Sequence, residues 1–110
     1  MSTIRELEDY IKQQEELIER RELALKLEKI PEFKKLILDE FCTTEAARYV
    51  HTSGNPLLSA EDRQDALHTA QAGGHLLRWL SRQVTFGNKA EENIIEAREQ
   101  IAELRQEGDK

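Results

Sequence analysis

The chain has 110 residues, of which 35% are charged and only 5% aromatic, and its formal net charge is −6. This length fits one small domain, and the composition is typical of long helices with solvated faces rather than of a sheet. No stretch has the basic stripe that a phosphate backbone requires, which disfavours direct binding to nucleic acid. The single cysteine, Cys42, excludes an internal disulfide and is expected to be a small buried hydrophobe in a reducing compartment.

The sequence contains no membrane or export signal. No apolar run approaches the roughly 18 residues that a membrane span needs. The first residues, "MSTIRELEDY", lack the charged and then apolar order of a signal peptide. We therefore expect no membrane contact and a cytoplasmic location.

Residues 1–30 predict one long amphipathic helix, about 40 Å in length. Thr3 and Glu6 have the spacing of a capping box at its start. Apolar side chains recur along the helix and form one stripe: Ile4, Leu7, Ile11, Ile18 and Leu25. Gln14 and Arg21 are polar positions in this stripe, and such positions can fix the register and oligomeric state of packed helices.

Pro31 is expected to end the first helix, because the residue before a proline avoids the helical conformation. Five of the six aromatic residues then lie between positions 33 and 86, which places the bulky core there. The stretch "PEFKKLILDEF" predicts a short helix with one apolar face. Thr43 or Thr44 caps a further turn or two, either as a separate helix or after a bend, before "TSGNP" breaks the chain.

Residues 59–84 predict the next helix, which begins with a capping-box pair, Ser59 and Asp62, and is expected to end at "FGN". Two adjacent glycines in its middle each cost about 1 kcal/mol of helix propensity. Small side chains align with them, so we expect a smooth ridge on which another helix packs closely, formed by Ala66, Ala70, Gly73 and Gly74. Gly74→Leu should then destabilise the protein strongly. A kink at the glycine pair is the alternative.

A last helix over residues 89–110 carries an apolar seam for about two heptads, among acidic neighbours. Together the segments predict an all-α fold, a small bundle of four to five helices with a long amphipathic first helix and a coiled-coil-like last helix. We expect a single domain over residues 1–110. Its parts are the long helix (1–30), an aromatic-containing helical core (31–88) and the acidic C-terminal helix (89–110).

The histidines do not have the spacing of metal ligands. His68 and His75 lie seven residues apart, about 10 Å along a helix axis, whereas two ligands of one ion lie one turn apart. His51 could join them only through the tertiary fold. We therefore expect no metal and no cofactor, and histidines at the edge of the core or in solvent.

The sequence contains no nucleophile motif and no phosphate-binding glycine loop. Asp65 and His68 have the spacing of an incidental surface contact, so we expect no catalytic residues and no enzymatic activity. Arg78, Trp79 and Arg82 have the composition of a protein contact centre. The competing interpretation, slightly favoured by the sequence, is that Trp79 is buried and the arginine stems lie over the core.

The segment "LEKIPEFKKLILDEFCTTEAARYVH", followed by "RQDALHTAQAGGHLLRWL", resembles a group of small helical proteins of tailed bacteriophages. The resemblance covers about the middle half of the chain. It implies a phage protein associated with the virion or its assembly, located in the host cytoplasm or in the particle. It carries no activity and no functional residue over to these positions.

These observations predict a non-enzymatic helical protein that binds a protein partner or itself, as a structural or accessory subunit in phage assembly. The long first helix has few partners within one short chain, so another chain, most simply a second copy, is expected to cover its stripe. The residues predicted to make this protein contact are Ile4, Leu7, Ile11, Ile18, Leu25, Ile94, Ile101 and Leu104. The alternative is a small acidic phage regulator that binds and inhibits a host protein.

Overall fold

The computed structural model describes residues 3–108, and over this range the chain is helical without any β-strand. The all-α prediction is therefore confirmed. The number of helices is lower than the predicted four to five, because two expected interruptions are absent from the described chain. Helix α1 spans Ile4–Glu28, helix α2 runs without a break through Pro31–Phe33, Lys34–Glu45 and Ala46–Ser53, and helix α3 spans Ala60–Gly108.

Helix α1 begins and ends close to the predicted positions. The Thr3 hydroxyl accepts a hydrogen bond from the backbone N–H of Glu6 at 3.1 Å, which is the N-terminal cap that the sequence indicated. Beyond the end of the helix, Ile30 is extended, with φ −77° and ψ 114°. This is the conformation that the ring of Pro31 imposes on the residue before it.

Helix α2 is a π-helix in its middle, over Lys34–Glu45. The hydroxyls of Thr43 and Thr44 donate to the backbone carbonyls of Leu38 and Asp39, five residues earlier, at 2.8 and 3.1 Å. Neither threonine therefore caps a new helix, and the chain continues through them without interruption. The helix ends before Gly54, as the turn sequence "TSGNP" predicts.

Helix α3 begins with the predicted cap, in which the Ser59 hydroxyl accepts from the backbone N–H of Asp62 at 3.1 Å. The predicted end at "FGN" is wrong, because the helix continues through Phe86, Gly87 and Asn88 to Gly108. One glycine lowers helix propensity by only about 1 kcal/mol, which packing can offset. No glycine in the described chain has a positive φ, so none acts as a left-handed helix terminator. Residues 109 and 110 of the predicted last helix lie outside the described residues.

The tertiary contacts divide the chain into two compact units. The hairpin unit consists of residues up to 24 and from 82 onward, and the central unit is Leu25–Ser81. In the hairpin unit α1 and the end of α3 are antiparallel, because residues progressively earlier in α1 meet residues progressively later in α3. The first and last predicted segments thus pair with each other. No helix within residues 3–108 has an apolar stretch long enough to cross a membrane.

Candidate protein-contact surfaces

The apolar seam of the hairpin unit is closed within the chain. Its buried core is Leu7, Ile11, Ile94, Ala97 and Ile101, with Ile4, Ile18 and Leu104 packed against it. Seven of the eight residues predicted to contact another chain are in this cluster, and the eighth, Leu25, is half-buried in the central unit. With Leu7 and Ile101 each only 7% exposed, this seam has little surface left to offer to a partner. The predicted intermolecular role is corrected to an intrachain one.

The first of two polar positions in the seam, Gln14, is matched by Asn93 on the facing helix. The Asn93 amide nitrogen donates to the Gln14 side-chain oxygen at 2.9 Å, in a partly buried position. A half-buried carboxamide needs such a partner, since an unmade hydrogen bond there costs about 1–3 kcal/mol. The pair therefore favours the one register that brings these two residues together.

The second polar position, Arg21, crosses to α3 over Gly87. A Cβ placed on Gly87 would lie 2.7 Å from the Cδ and 2.9 Å from the Cγ of Arg21, so only glycine leaves room for the arginine stem. The guanidinium then donates to the Asn88 side-chain oxygen at 3.0 Å and pairs with the Glu91 carboxylate at 2.6 Å. It also binds Glu22 on its own helix at 2.8 Å.

Charge and hydrogen bonding reinforce each other in this cluster. The hydrogen bond from Arg21 lowers the pKa of the Glu91 carboxyl, and the positive charge of the guanidinium adds to the shift. In return, the hydrogen bonds to Glu91 and then Glu22 raise the pKa of Arg21. The side chain of Arg21 is only 12% exposed, which is low for an arginine. Its role is to hold the two helices together, and nothing in the cluster supplies a reactive group.

Helix α3 carries a longer heptad pattern than the sequence revealed. Every seventh residue is buried over six successive positions: Ala66, Gly73, Leu80, Gly87, Ile94 and Ile101. In the sequence only the C-terminal two repeats stand out, because glycine and alanine occupy half of these positions. The seven-residue spacing marks the full pattern once small residues are counted as seam positions.

Close packing in the central unit occurs at Gly73 and not at Gly74. A Cβ on Gly73 would lie 3.1 Å from the Cα of Cys42 and 3.2 Å from the carbonyl oxygen of Phe41, both in the π-helical part of α2. A Cβ on Gly74 would meet nothing within 4 Å. The ridge therefore consists of Ala66, Ala70 and Gly73, and the strong destabilisation predicted for Gly74→Leu is not expected. The helix continues through the glycine pair, and the close approach of Gly73 to α2 favours the packing interpretation.

Small side chains occupy most of the fully buried positions of the central unit, and many of its large apolar side chains are exposed. Its buried residues are Cys42, Ala66, Ala70, Gly73 and Leu80. Its exposed large apolar residues are Leu27, Ile30, Leu36, Val50, Leu57, Leu67, Leu77 and Trp79. Among them Leu36 is 61%, Val50 54% and Leu57 91% exposed. Other large apolar residues of the unit, such as Phe41 and Leu76, are half-buried. Large apolar side chains that stay exposed are candidates for contact with another molecule.

Trp79 belongs to this exposed set, so the expectation that it is buried is wrong. The indole is 56% exposed, and Arg78 and Arg82 are exposed as well. The Arg78 guanidinium lies 2.9 Å from Nδ1 of His75, one turn earlier on the same helix. A protein contact centre must be accessible to its partner, and Arg78, Trp79 and Arg82 meet this requirement.

The remaining reactive side chains are scattered. His51, His68 and His75 are exposed, and no group of three potential metal ligands occurs among residues 3–108. Cys42 is 5% exposed, and burial raises the pKa of its thiol. A thiol of this kind is a weak nucleophile, which fits the predicted role of Cys42 as a small buried hydrophobe.

A shallow groove of about 340 Å³ lies along one side of the hairpin unit. Its apolar lining comes from both helices, and its rim is charged. The residues that line it are Glu15, Ile18, Glu91, Ile94, Ile95 and Arg98. Ile95 is 57% exposed, so the groove presents an accessible apolar side chain between charged ones.

Comparisons with models of known protein families, with curated protein sequences and with solved structures gave no match to this chain.

Proposed function

We propose that this chain is a non-enzymatic helical interaction protein that self-associates and serves as a structural or accessory subunit in phage assembly. The single observation that carries the proposal is the exposure of many large apolar side chains in the central unit. Large residues such as Leu36, Val50 and Trp79 are exposed there, while the buried positions are filled mainly by alanine, glycine and cysteine.

The physical reason is the free energy that contact with another chain would recover. Burying apolar surface contributes roughly 25 cal/mol per Å², so several leucines and a tryptophan left in water form a favourable contact area. Tryptophan and arginine are also the residues that dominate binding energy at protein interfaces. Trp79 with its neighbour Arg78 supplies both types on one exposed stretch of helix.

The phage context of the proposal comes from the resemblance of the middle of the chain to small helical phage proteins. That resemblance covers most of the central unit, where the exposed apolar residues are concentrated. A subunit that meets other subunits through this surface would suit particle assembly. A cytoplasmic location, with transfer to the virion on assembly, is part of the same proposal.

Sedimentation equilibrium over a wide concentration range tests the self-association. We expect a mass above the 12.8 kDa of one chain that rises with concentration. The double variant L36E/V50E places charge on the exposed apolar surface and should lower that mass. The matched control Q64E/Q71E adds the same charge at exposed polar positions of the same unit and should not. A mass of one chain at every concentration contradicts the proposal.

The alternative, an acidic regulator of a host protein, is favoured by one observation. The hairpin unit, taken as residues 1–24 and 82–110, contains nine basic and fourteen acidic residues, whereas residues 25–81 contain seven and eight. The hairpin unit thus has a net charge of −5, out of −6 for the whole chain. A protein that acts through it would be a stable monomer whose affinity for a basic partner falls steeply with salt.

A further inference from the structure

We propose that the groove of the hairpin unit is a self-contact, occupied by the same groove of a second copy of this chain in antiparallel orientation. The two-fold axis passes close to Ile95. The inference rests on the proposed self-association and adds to it the site of one contact and its symmetry.

The apolar part of the groove is the first support. Ile95 is 57% exposed and lies next to Ile94, a buried core residue, and Ile18, which packs against that core. Two helices alone cover each other on one side only, and antiparallel pairs commonly bury the remaining apolar edge by joining a second pair in a four-helix arrangement. A second copy of the hairpin unit supplies such a pair.

The second support is the charge at the rim of the groove. Its basic and acidic side chains can pair with those of an identical copy. Arg98 follows Ile95 by three residues and has no ion pair among residues 3–108. Glu91 precedes Ile95 by four residues and is still 53% exposed beside Arg21. An antiparallel two-fold pairing of α3 near residue 95 places Arg98 of each copy opposite Glu91 of the other. Such a contact is isologous, so the same pair forms twice.

This charge pattern favours a second copy over a foreign helix. A partner with only basic side chains would meet Arg98 unfavourably, and one with only acidic side chains would meet Glu15 and Glu91. A second copy of the same surface supplies an acidic side chain opposite Arg98 and a basic side chain opposite Glu91. The groove is small, so we expect this contact to be weak and concentration-dependent.

Cysteine cross-linking tests the axis directly. In a Cys42→Ala background, Ile95→Cys places two thiols next to each other at the two-fold axis, within the short Cβ separation that a disulfide requires. The matched control is Gln13→Cys in the same background, because Gln13 is exposed in the same unit but does not line the groove. We expect the residue-95 variant to form disulfide-linked dimers under mild oxidation at least tenfold faster than the residue-13 variant.

A charge reversal gives a second measurement that does not depend on a new thiol. Arg98→Glu sets two acidic side chains opposite each other at both ends of the contact and should weaken the dimer about tenfold or more. Arg20→Glu, on an exposed arginine outside the groove, is the control and should change the dissociation constant little.

The outcomes separate this inference from the function that it rests on. If the Cys42→Ala parent associates by sedimentation but the two cysteine variants cross-link at equal rates, the groove is not the self-contact and self-association stands. Slower cross-linking at residue 95 than at residue 13 has the same meaning. If the parent has the mass of one chain at every concentration, both proposals fail.

Discussion

The side chain of Arg21 in α1 occupies the space that Gly87 in α3 leaves open because glycine has no side chain. The arginine stem passes where a Cβ of residue 87 would lie, 2.7 Å from its Cδ, and the guanidinium reaches Asn88 and Glu91 beyond. A long polar side chain in an apolar seam would otherwise push the helices apart. Here the missing side chain of Gly87 lets the helices remain in contact, and the hydrogen bonds on α3 fix their register.

Gly87→Ala should destabilise the protein even though alanine is the better helix former. Overpacking typically costs about 1–3 kcal/mol, and alanine recovers about 1 kcal/mol of helix propensity. Gly74→Ala is the matched control, because its added methyl meets nothing within 4 Å. We expect thermal unfolding by circular dichroism to show a lower Tm for Gly87→Ala and a higher one for Gly74→Ala. Equal Tm values for the two variants would contradict the fit of Arg21 over Gly87.

The Glu91 carboxyl should titrate below the ordinary glutamate value of about 4.3, because Arg21 holds its pKa down. Its contribution to stability is present above the unfolded-state pKa and is lost as the pH falls through the lowered folded-state pKa. Arg21→Met should return the pKa of Glu91 towards its ordinary range, as measured by NMR titration of the side-chain carboxyl. Arg20→Met, one residue away, should leave it lowered. The same pKa in both variants would show that the ion pair is not formed.

The hydrogen bond between Gln14 and Asn93 predicts a non-additive response to substitution. Gln14→Leu leaves the half-buried Asn93 amide without its partner and should lower the free energy of unfolding by about 1 kcal/mol. The double variant Q14L/N93L replaces the polar pair by an apolar one and should recover that loss, since removing both partners is often neutral or stabilising. Urea unfolding of the two single variants and the double variant measures the coupling. Strictly additive effects would exclude the contact.

Trp79 is the only tryptophan, so its fluorescence reports directly on one position of the central unit. With an indole 56% exposed, we expect red-shifted emission that iodide quenches readily in dilute protein. Blue-shifted, unquenched emission in dilute protein would instead mean that Trp79 is part of a core.

The sequence was sufficient to predict the helical class, the two helix N-termini and the end of α1. Each of these depends on local chemistry, namely a side-chain oxygen at the cap or a proline after the helix. The uninterrupted course of α3 could not be predicted in this way. The break expected at "FGN" follows from the local propensity of Gly87, whereas the actual structure follows from Arg21, a residue 66 positions earlier in the chain.

The candidate contact surface was harder to predict for a related reason. An apolar stripe shows that a helix face is buried, but the same stripe is consistent with burial within the chain or against another chain. Ile11 and Ile94 turned out to face each other in the hairpin core. The exposed residues of the central unit, such as Leu36 and Val50, read as ordinary core residues in the sequence because their neighbours in space were unknown. The π-helical segment of α2 could not be predicted either, because a 3.6-residue period in the sequence does not distinguish a π-helix from an α-helix.

The α1 seam is closed within one chain, so that other surfaces are left for protein contact. The most direct test is the thermal unfolding of Ile11→Asp, with Lys12→Asp at the neighbouring exposed position as the control. A buried, unpaired carboxylate at residue 11 should lower the free energy of unfolding by about 3 kcal/mol or more, and Lys12→Asp should have little effect. If Ile11→Asp instead keeps the helix content and Tm of the wild type and only loses self-association, the seam lies between two chains and not within one.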